Sequence, residues 1–443
     1  MSIKSFFNPK NVAVIGASRE PGKLGYQILH NIIEAGFKGE IYPINPKADE
    51  ILGLKCYPSV KDVPKRVELA VVVVPSKIVP SVIEDCGEKG VKAAVVISGG
   101  FSETGPEGEK LEQQMLEAAR KARIRILGPN CQGVNNTANG LCASWPLVKE
   151  KGPISIISQS GTVGAALECW ASSEGIGIAN FAMLGNKSDV NEVELLDYLS
   201  KDRRTGVIAL YLEGVKDGRE FLAVARSAAK RRPIIVLKGG RSKKGAEAVL
   251  SHTRSLAGQY EIFASACRQV GMFMVSSIEE LYDVCKGLAR LPRPSGKNTI
   301  IVTSSGGSGI MATDAAEDLN LNLIDLPPKA RERLKKGLPP QCIISNPLDL
   351  TGSATSKMYD DTLRILVSYG EVHSILVIVG DPMPGIAEVI KKWATRKTIV
   401  PVMLGGGEAE ERERAKLAEA HIPVYSSPAR AVRALNALAW RSR

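Results

Sequence analysis

One histidine of the chain has neighbours that favour phosphoryl transfer. His252 lies between Ser251 and Thr253, near the end of a basic, glycine-containing stretch (residues 238–258) that follows the apolar run PIIVL. A neutral imidazole is a good nucleophile near pH 7, and nearby cations stabilise the charge of a transferred phosphoryl group. The pattern therefore predicts that His252 accepts a phosphoryl group on a flexible segment. The alternative is a loop histidine held by the flanking hydroxyl groups, and we expect structural or surface roles for the other three histidines.

Glu213 is the first candidate for the group that orients this imidazole. An imidazole that accepts a phosphoryl group needs its second nitrogen held by a carboxylate or a carbonyl oxygen. Glu213 follows the apolar run VIALYL, so we expect it at the carboxyl end of a parallel strand, where side chains reach the ligand crevice. Glu168 and Glu220 are weaker candidates because both fall within helical patterns.

Two turns rich in glycine and serine are candidate phosphate sites. Residues 158–162 (SQSGT) and 304–309 (SSGGSG) each follow an apolar run and precede a helical pattern. Exposed backbone N–H groups and the positive end of a helix favour an anion at such a turn. The residues that we predict to contact phosphate are Ser158, Ser160, Gly161, Ser305, Gly306 and Gly307.

A third turn, Gly16-Ala17-Ser18, follows the first apolar run, NVAVI. Its spacing differs from the G-x-G-x-x-G of NAD enzymes. Where an NAD site has an acidic residue at the end of the second strand, this chain has Asn45-Pro46-Lys47. A lysine at that position would attract a phosphate on the ribose. This favours NADP or coenzyme A over NAD, although Lys47 could also be a solvated loop lysine.

The elements that position these residues follow one pattern throughout the chain. Apolar, β-branched runs alternate with amphipathic helical segments, which is typical of parallel sheets covered by helices on both faces. The pattern breaks at residues 145–153 and again at residues 291–297. The second of these segments is rich in proline, serine and glycine. We therefore predict an α/β protein of three doubly wound domains, with boundaries at about 1–150, 151–292 and 293–443.

The composition excludes several classes of protein. The chain has 443 residues and a formal net charge of +11, and no stretch approaches the roughly 18–20 apolar residues of a membrane-spanning helix. Its eight cysteines are scattered without a CxxC pair, which fits reduced thiols in the cytoplasm and argues against disulfides or structural zinc. Aromatic residues make up only 5%, so the charge favours phosphorylated small molecules over nucleic acid. We expect neither a metal site nor a membrane or nucleic-acid partner for this chain.

Four motifs resemble one enzyme superfamily, the acyl-CoA synthetases that form a nucleoside diphosphate, which includes succinyl-CoA synthetase. GPNCQG at residues 128–133 is close to the family's GPNC-x-G, and SHTRSLAG at 251–258 is close to the SHTGSLAG of archaeal ADP-forming acetyl-CoA synthetases. GNKSDV at 185–190 and NPLDL at 346–350 also match family patterns. The resemblance covers essentially the whole chain.

The resemblance implies a fold and a role for each domain. A Rossmann-like CoA-binding domain precedes two flavodoxin-like domains, and two helix N-termini hold the phosphohistidine. His252 becomes transiently phosphorylated, and Glu213 orients it. Arg254 replaces the motif's glycine, and Cys131 is expected to be buried and inert rather than a covalent carrier. The residues that the resemblance places at coenzyme A are Gly16, Ser18, Lys47, Val74, Ser98 and Asn130.

The resemblance also implies a partner. The reaction, acyl-CoA + ADP + phosphate ⇌ acid + ATP + CoA, requires a site for ADP and Mg²⁺, which this superfamily builds in an ATP-grasp domain. The chain leaves no room for such a domain and has no P-loop motif. We therefore expect an α subunit that joins an ATP-grasp β subunit in an α₂β₂ assembly. The alternatives are a non-catalytic, regulatory CoA-binding protein and an NADP-dependent oxidoreductase.

Overall fold

The first of three β-sheets contains the N-terminal turn. The computed structural model describes residues 3–253 and 259–440, and for residues 250–253 it describes the backbone alone. The strands are β1 (Asn11–Ile15), β2 (Glu40–Ile44), β3 (Glu50–Ile51), β4 (Leu54–Lys55), β5 (Leu69–Val72), β6 (Ala93–Val96) and β7 (Arg125–Leu127). The helices are α1 (Lys4–Phe7), α2 (Leu24–Glu34), α3 (Val79–Lys89) and α4 (Pro106–Ala122). The parallel sheet has the order β2-β1-β5-β6-β7, and β3 and β4 form a separate antiparallel ribbon.

The order of this sheet reverses between β1 and β5, which creates a crevice at the carboxyl ends of these strands. All the residues of β1, β5 and β6 are buried, as expected for parallel strands covered on both faces. The helices supply the covering layers, since α2, α3 and α4 each bury one apolar face.

The second sheet carries the histidine segment. Its strands are β8 (Val134–Asn136), β9 (Leu141–Ala143), β10 (Lys151–Ser158), β11 (Ile178–Met183), β12 (Val207–Leu212), β13 (Ile234–Lys238) and β14 (Phe273–Val275). The helices are α5 (Gly161–Ser173), α6 (Glu192–Lys201), α7 (Gly218–Arg231), α8 (Lys243–Thr253), α9 (Tyr260–Gln269) and α10 (Ile278–Arg290). The order is β14-β13-β12-β10-β11-β8-β9, and β8 is antiparallel to both of its neighbours, β11 and β9. The order of the parallel strands reverses between β10 and β12.

The third sheet is also a parallel sheet covered by helices. Its strands are β15 (Asn298–Thr303), β16 (Asn322–Leu323), β17 (Leu348–Asp349), β18 (Ser374–Val379) and β19 (Thr398–Met403). The helices are α11 (Gly306–Asp318), α12 (Pro328–Gly337), α13 (Ser356–Leu366), α14 (Ile386–Ala394), α15 (Gly407–Glu419) and α16 (Pro428–Trp440). The order is β16-β15-β18-β19, with β17 paired to β15, and apolar clusters fill both faces. The three doubly wound α/β layers agree with the predicted fold class.

The chain divides into two compact units. One unit comprises Met1–Ser173 and Gly177–Ile278, and the other comprises Glu174–Ile176 and Glu279–Arg443. The β8–β9 hairpin, which precedes the predicted boundary at residue 150, belongs to the second sheet. Most of α10, which precedes the predicted boundary at residue 292, belongs to the unit of the third sheet. The division into three domains stays a prediction. No helix in the described part of the chain is long and apolar enough to cross a membrane.

Candidate functional site

Glu213 follows β12 at the point where the second sheet reverses its order, opposite the turn that follows β10. Its side chain is buried, with only 6% of the residue exposed. Its backbone N–H and that of Gly214 both donate to Oε1 of Gln159, at 2.9 and 3.3 Å. Gln159 lies in the predicted phosphate turn, and its own N–H donates to the carbonyl of Tyr211. The carboxylate and the phosphate turn are therefore fixed to each other.

The carboxylate of Glu213 keeps one oxygen available. Oε1 accepts a 3.4 Å hydrogen bond from the hydroxyl of Tyr211, and Oε2 is buried without a hydrogen-bond partner among the described residues. A buried, unsatisfied carboxylate oxygen is costly, so a donor from a ligand or another side chain is expected there. The N–H of an imidazole is one such donor.

Two buried lysines hold the backbone on the far side of Glu213. Lys238 donates to the carbonyl of Glu213 at 2.7 Å and to that of Gly239 at 2.5 Å. Lys187 donates to the carbonyl of Gly214 at 2.7 Å. Only 3% of each lysine is exposed. The basic stretch predicted to be flexible therefore starts with a fixed residue, because Lys238 is the last residue of β13.

The histidine segment starts with a helix rather than a flexible loop. α8 begins after Ser242, whose Oγ accepts a hydrogen bond from the N–H of Gly245, and its backbone includes His252. The sequence KKGAEAV is rich in good helix formers, and the prediction gave too much weight to its glycine and its charges. The side chain of His252, and Arg254 entirely, lie outside what the structure describes. The predicted contact between His252 and Glu213 therefore stays a prediction.

The turn of the second sheet is closed by its own hydroxyl groups. Ser158 Oγ donates to the carbonyl of Ser160 at 2.6 Å and accepts from its N–H at 3.2 Å. α5 begins at Gly161, where an added Cβ would lie 3.4 Å from Oε1 of Gln132. Gln132 is part of the GPNCQG loop, so this predicted phosphate turn adjoins the predicted CoA site.

The corresponding turn of the third sheet is more open. Ser305 precedes α11 without making a side-chain cap, and its N–H donates to Thr303 Oγ1 at 2.9 Å. Gly306 and Gly307 are exposed, and nothing lies within 4 Å of a Cβ placed on Gly307. Ser304 Oγ accepts from the N–H of Gly380 at 3.0 Å, which fixes the turn to the end of β18. The turn thus presents backbone N–H groups at the N-terminus of α11, as an anion site requires.

The N-terminal turn of the first sheet fits a ligand that lies close to the backbone. Gly16 has φ +93°, and a Cβ there would lie 2.3 Å from the carbonyl oxygen of Val73. The ends of β1 and β5 therefore pack so closely that only glycine fits at this turn. Lys23 precedes α2 without a side-chain cap, so its side chain does not occupy the first N–H groups of this helix.

The structure brings the predicted CoA residues together around this crevice. Ser98 Oγ donates to the carbonyl of Val74 at 2.5 Å, and the N–H of Asn130 donates to the carbonyl of Ser98 at 2.9 Å. On the other side of the crevice, Ser18 directly follows the Gly16 turn. The backbone of the exposed Lys47 is tied to that turn through Asn45, which accepts from the N–H of Lys47 and donates to the carbonyl of Ala17.

A polar network that the sequence analysis left undefined joins the first two sheets. Asn130 donates to Oδ1 of Asn186 at 3.3 Å, and Asn186 donates to Glu103 at 2.7 Å and to Glu112 at 3.0 Å. Burial opposes ionisation of Glu103, but hydrogen bonds from Asn186 and three backbone N–H groups outweigh it and lower its pKa. The motif GNKSDV contains both Asn186 and Lys187, yet Glu103 and Gly214, to which their side chains donate, lie 83 and 27 positions away and have no signal in the sequence.

Cys131 is buried, and burial raises the pKa of its thiol to about 12. This confirms the expected buried cysteine, since a thiol with this pKa is a poor nucleophile at neutral pH. No group of three or more potential metal ligands occurs in the described residues.

Three family models match the chain in succession. A model described as "CoA binding domain" matches residues 10–137, one described as "Succinyl-CoA ligase like flavodoxin domain" matches residues 151–288, and one described as "Ligase-CoA domain" matches residues 299–435.

Relatives align with the chain over its whole length. The α subunit of acetate–CoA ligase [ADP-forming] I of Pyrococcus furiosus is 45% identical, and the alignment covers 99% of this chain and 97% of that protein. Acetate–CoA ligase [ADP-forming] I of Archaeoglobus fulgidus is 41% identical over 100% of this chain but only 64% of its own length. The solved structure of dinucleotide-forming acetyl-coenzyme A synthetase 1 of Ca. Korarchaeum cryptofilum, in complex with phosphate and ADP, superposes with a TM-score of 0.92 at 40% identity, covering 100% of this chain and 97% of that one.

Proposed function

The chain belongs to the ADP-forming acetate–CoA ligases, as an α subunit of that family, and from this premise we propose that it transfers a phosphoryl group through His252. The α subunit of such an acyl-CoA synthetase acts in the reversible conversion of acyl-CoA, ADP and phosphate into acid, ATP and CoA. Because the named relatives are ligases, neither the regulatory alternative nor the oxidoreductase is favoured.

The single observation that carries the proposal is the state of Glu213. Its buried Oε2 has no hydrogen-bond partner among the described residues and requires a donor, and the carboxylate is fixed to the Ser158–Gly161 turn through Gln159. We infer that the donor is the N–H of the His252 imidazole. Phosphate first attacks the thioester carbon of acyl-CoA, which breaks the C–S bond, releases CoA and leaves acyl phosphate. The other ring nitrogen of His252 then attacks the phosphorus, and the carboxylate leaves as the P–O bond to the acyl group breaks. In the next step phosphohistidine gives its phosphoryl group to ADP.

The crevice of the first sheet is our proposed CoA site. The open start of α2 and the exposed Lys47 would bind phosphate groups of the nucleotide end. The loops of Val74, Ser98 and Asn130 would contact the remainder of the molecule. Asn130 then marks the end nearest the second sheet, because its side chain contacts Asn186.

The two glycine and serine turns are our proposed phosphate sites. Ser160, Gly161 and Ser305 are partly exposed, and Gly306 and Gly307 are exposed, at the starts of helices whose positive poles favour an anion. The residues proposed to act there are Ser158, Ser160, Gly161, Ser305, Gly306 and Gly307.

We also propose a partner subunit that binds ADP and Mg²⁺ in an ATP-grasp domain, within an α₂β₂ complex in the cytoplasm. Two observations support a separate partner. The Pyrococcus furiosus relative is itself named an α subunit, and this chain spans 64% of the Archaeoglobus fulgidus ligase, which is described without subunits. The remaining third of that longer chain corresponds to nothing in this one.

Incubation of the full chain with acetyl-CoA and radiolabelled phosphate tests the proposal without the partner. We expect one acid-labile, base-stable phosphoryl group per chain and release of free CoA. His252→Ala should abolish the label and Glu213→Gln should slow its formation, whereas His30→Gln, a change in helix α2, should leave it unchanged. Labelling that persists in His252→Ala would overturn the proposal. Addition of an ATP-grasp partner and ADP should convert the label into ATP.

A further inference from the structure

We propose that Lys187 and Lys238 are positioning residues that fix the carboxylate of Glu213 by binding the backbone carbonyl groups of residues 213 and 214. The inference rests on the proposed function, in which Glu213 orients His252, and goes beyond it by assigning a task to two lysines far from each other in sequence.

The polar backbone groups of residues 213 and 214 are all bound by side chains. Gln159 accepts from both N–H groups, Lys238 donates to the carbonyl of Glu213, and Lys187 donates to that of Gly214. A loop residue at a strand end usually shares such groups with water. Here the backbone next to the carboxylate has no free group with which to rearrange.

Burial of two ammonium groups costs free energy of desolvation. Burial lowers the pKa of both lysines, and the negative charge of Glu213 partly opposes that shift. Lys187 also has Glu192 at 3.0 Å as an ion-pair partner, whereas Lys238 forms no ion pair within the described part of the chain. A charged donor binds a carbonyl more strongly than a neutral donor. The hydrogen bonds of the two lysines therefore offset the cost of desolvation and make the backbone at Glu213 rigid.

The space beside the carboxylate is equally restricted. A Cβ on Gly239 would lie 2.9 Å from the hydroxyl oxygen of Tyr211 and 3.4 Å from Cγ of Glu213. The second carbonyl bound by Lys238 is that of the same Gly239. Lys238 therefore fixes both the strand end that carries the carboxylate and the neighbouring strand end that confines it.

The test compares lysine variants of the full chain in the phosphorylation assay with acetyl-CoA and phosphate. We expect Lys238→Met and Lys187→Met to slow formation of phosphohistidine by about tenfold to a hundredfold, because small errors in position have effects of this size. KM for acetyl-CoA should stay within about twofold, since the lysines do not contact the proposed CoA site. Lys238→Arg, which keeps a charged donor, should recover a large part of the rate.

Lys397→Met is the matched control. Lys397 also donates to two carbonyls, those of Tyr369 and Val372, and burial lowers its pKa, but it lies in the third sheet's unit. We expect it to lower the melting temperature without changing the rate of phosphorylation. A rate loss equal to that of Lys238→Met would overturn the proposal, because it would reflect general destabilisation.

A double substitution separates positioning from mere structural support. In a Glu213→Gln background, Lys238→Met should cause little further loss of rate, since two residues that act as a unit are not additive. Full additivity, or a wild-type rate in folded Lys238→Met, would overturn the inference. If the wild-type chain itself gains no label on His252, the proposed function fails first, and that result is distinct from both.

Discussion

At the scale of single residues, two buried glutamates of the second sheet's domain have opposite surroundings. Glu213 has two ammonium groups close to its backbone, whereas Glu168 in α5 accepts hydrogen bonds from the neutral amides of Asn135 and Gln132 and from no other side chain among the described residues. Burial raises the pKa of Glu168 well above 4.5. A carboxyl group without a cationic partner is protonated more easily, so Glu168 is suited to structure and not to orienting a histidine.

The raised pKa of Glu168 predicts a pH effect on stability. A carboxyl group with a raised folded-state pKa contributes stability that is present below its unfolded pKa and is lost as the pH rises toward the folded value. Glu168→Gln keeps an acceptor for Asn135 and removes this titration. The melting temperature of the wild type should therefore fall relative to that of Glu168→Gln as the pH rises above 4.5.

The matched control for this experiment is Glu332→Gln, a change at an exposed position of α12. Its melting temperature should follow the wild-type profile across the same pH range. Parallel profiles for wild type and Glu168→Gln would show that Glu168 does not gain a proton on folding.

The buried thiol of Cys131 predicts selective alkylation. Cys169 is the exposed cysteine of the chain, and the other seven are buried. Iodoacetamide should modify Cys169 in the folded protein and leave Cys131 unmodified, as measured by peptide mass spectrometry. Cys131→Ala should keep the rate of phosphohistidine formation, and Cys169→Ser should remove the fast-reacting site. A rate loss of the size seen in Glu213→Gln would give Cys131 a chemical role.

At the scale of elements, the strand–turn–helix units are the part of the fold that the sequence predicts well. Runs such as NVAVI and TIIVT mark buried parallel strands, and the glycine and serine turns lie where those strands end. The reason is local, because β-branched residues favour strands and small residues favour close turns.

The open turn before α11 predicts an effect on phosphate binding. Gly307→Ala adds a methyl group where no atom lies within 4 Å, so the fold has room for it, and a helical Gly→Ala change stabilises by about 0.4–1 kcal/mol. If phosphate binds there, KM for phosphate should rise by about tenfold, the equivalent of ~1.4 kcal/mol.

Gly370→Ala serves as the control, because it too adds a methyl group in open space of the same domain. It should leave KM for phosphate unchanged. An unchanged KM in Gly307→Ala, with a melting temperature at or above that of wild type, would exclude Gly307 from the phosphate site.

Other elements could not be predicted because their partners are distant in sequence. β8 and β9 follow the first domain along the chain, but β8 pairs with β11, more than forty residues later. Lys187 and Lys238 read as loop lysines in the sequence. Only the folded chain shows that both reach the backbone of residues 213 and 214.

At the scale of the whole molecule, α10 belongs to the unit of the third sheet. Arg430 binds the carboxylate of Asp283, and the hydroxyl of Tyr425 donates to the backbone carbonyl of Asp283 at 3.1 Å. Lys286 donates to Glu174 and lies 4.7 Å from the centre of the Tyr425 ring. These contacts explain why the proline-rich stretch after α10 is not where the units separate.

This arrangement predicts different stabilities for two fragments. Residues 277–443 keep α10 on Tyr425 and Arg430, whereas residues 293–443 lose these contacts and expose the apolar face of α16. The longer fragment should have the higher free energy of unfolding in urea, by about 3 kcal/mol or more, from the lost hydrogen bonds and apolar burial. Equal midpoints and slopes would show that α10 adds no stability to this unit.

The β8–β9 hairpin limits how the molecule can be re-engineered. The GPNCQG loop leaves the last strand of one sheet and leads directly into β8 of the next, which lies between β11 and the edge strand β9. A designer who replaced the N-terminal module at residue 150 would remove two strands from its neighbour and expose the edge of β11. A chimera that keeps the hairpin must be joined within the loop itself, which contains Asn130 of the proposed CoA site. The first domain therefore cannot be replaced at residue 150 without damage to the second sheet.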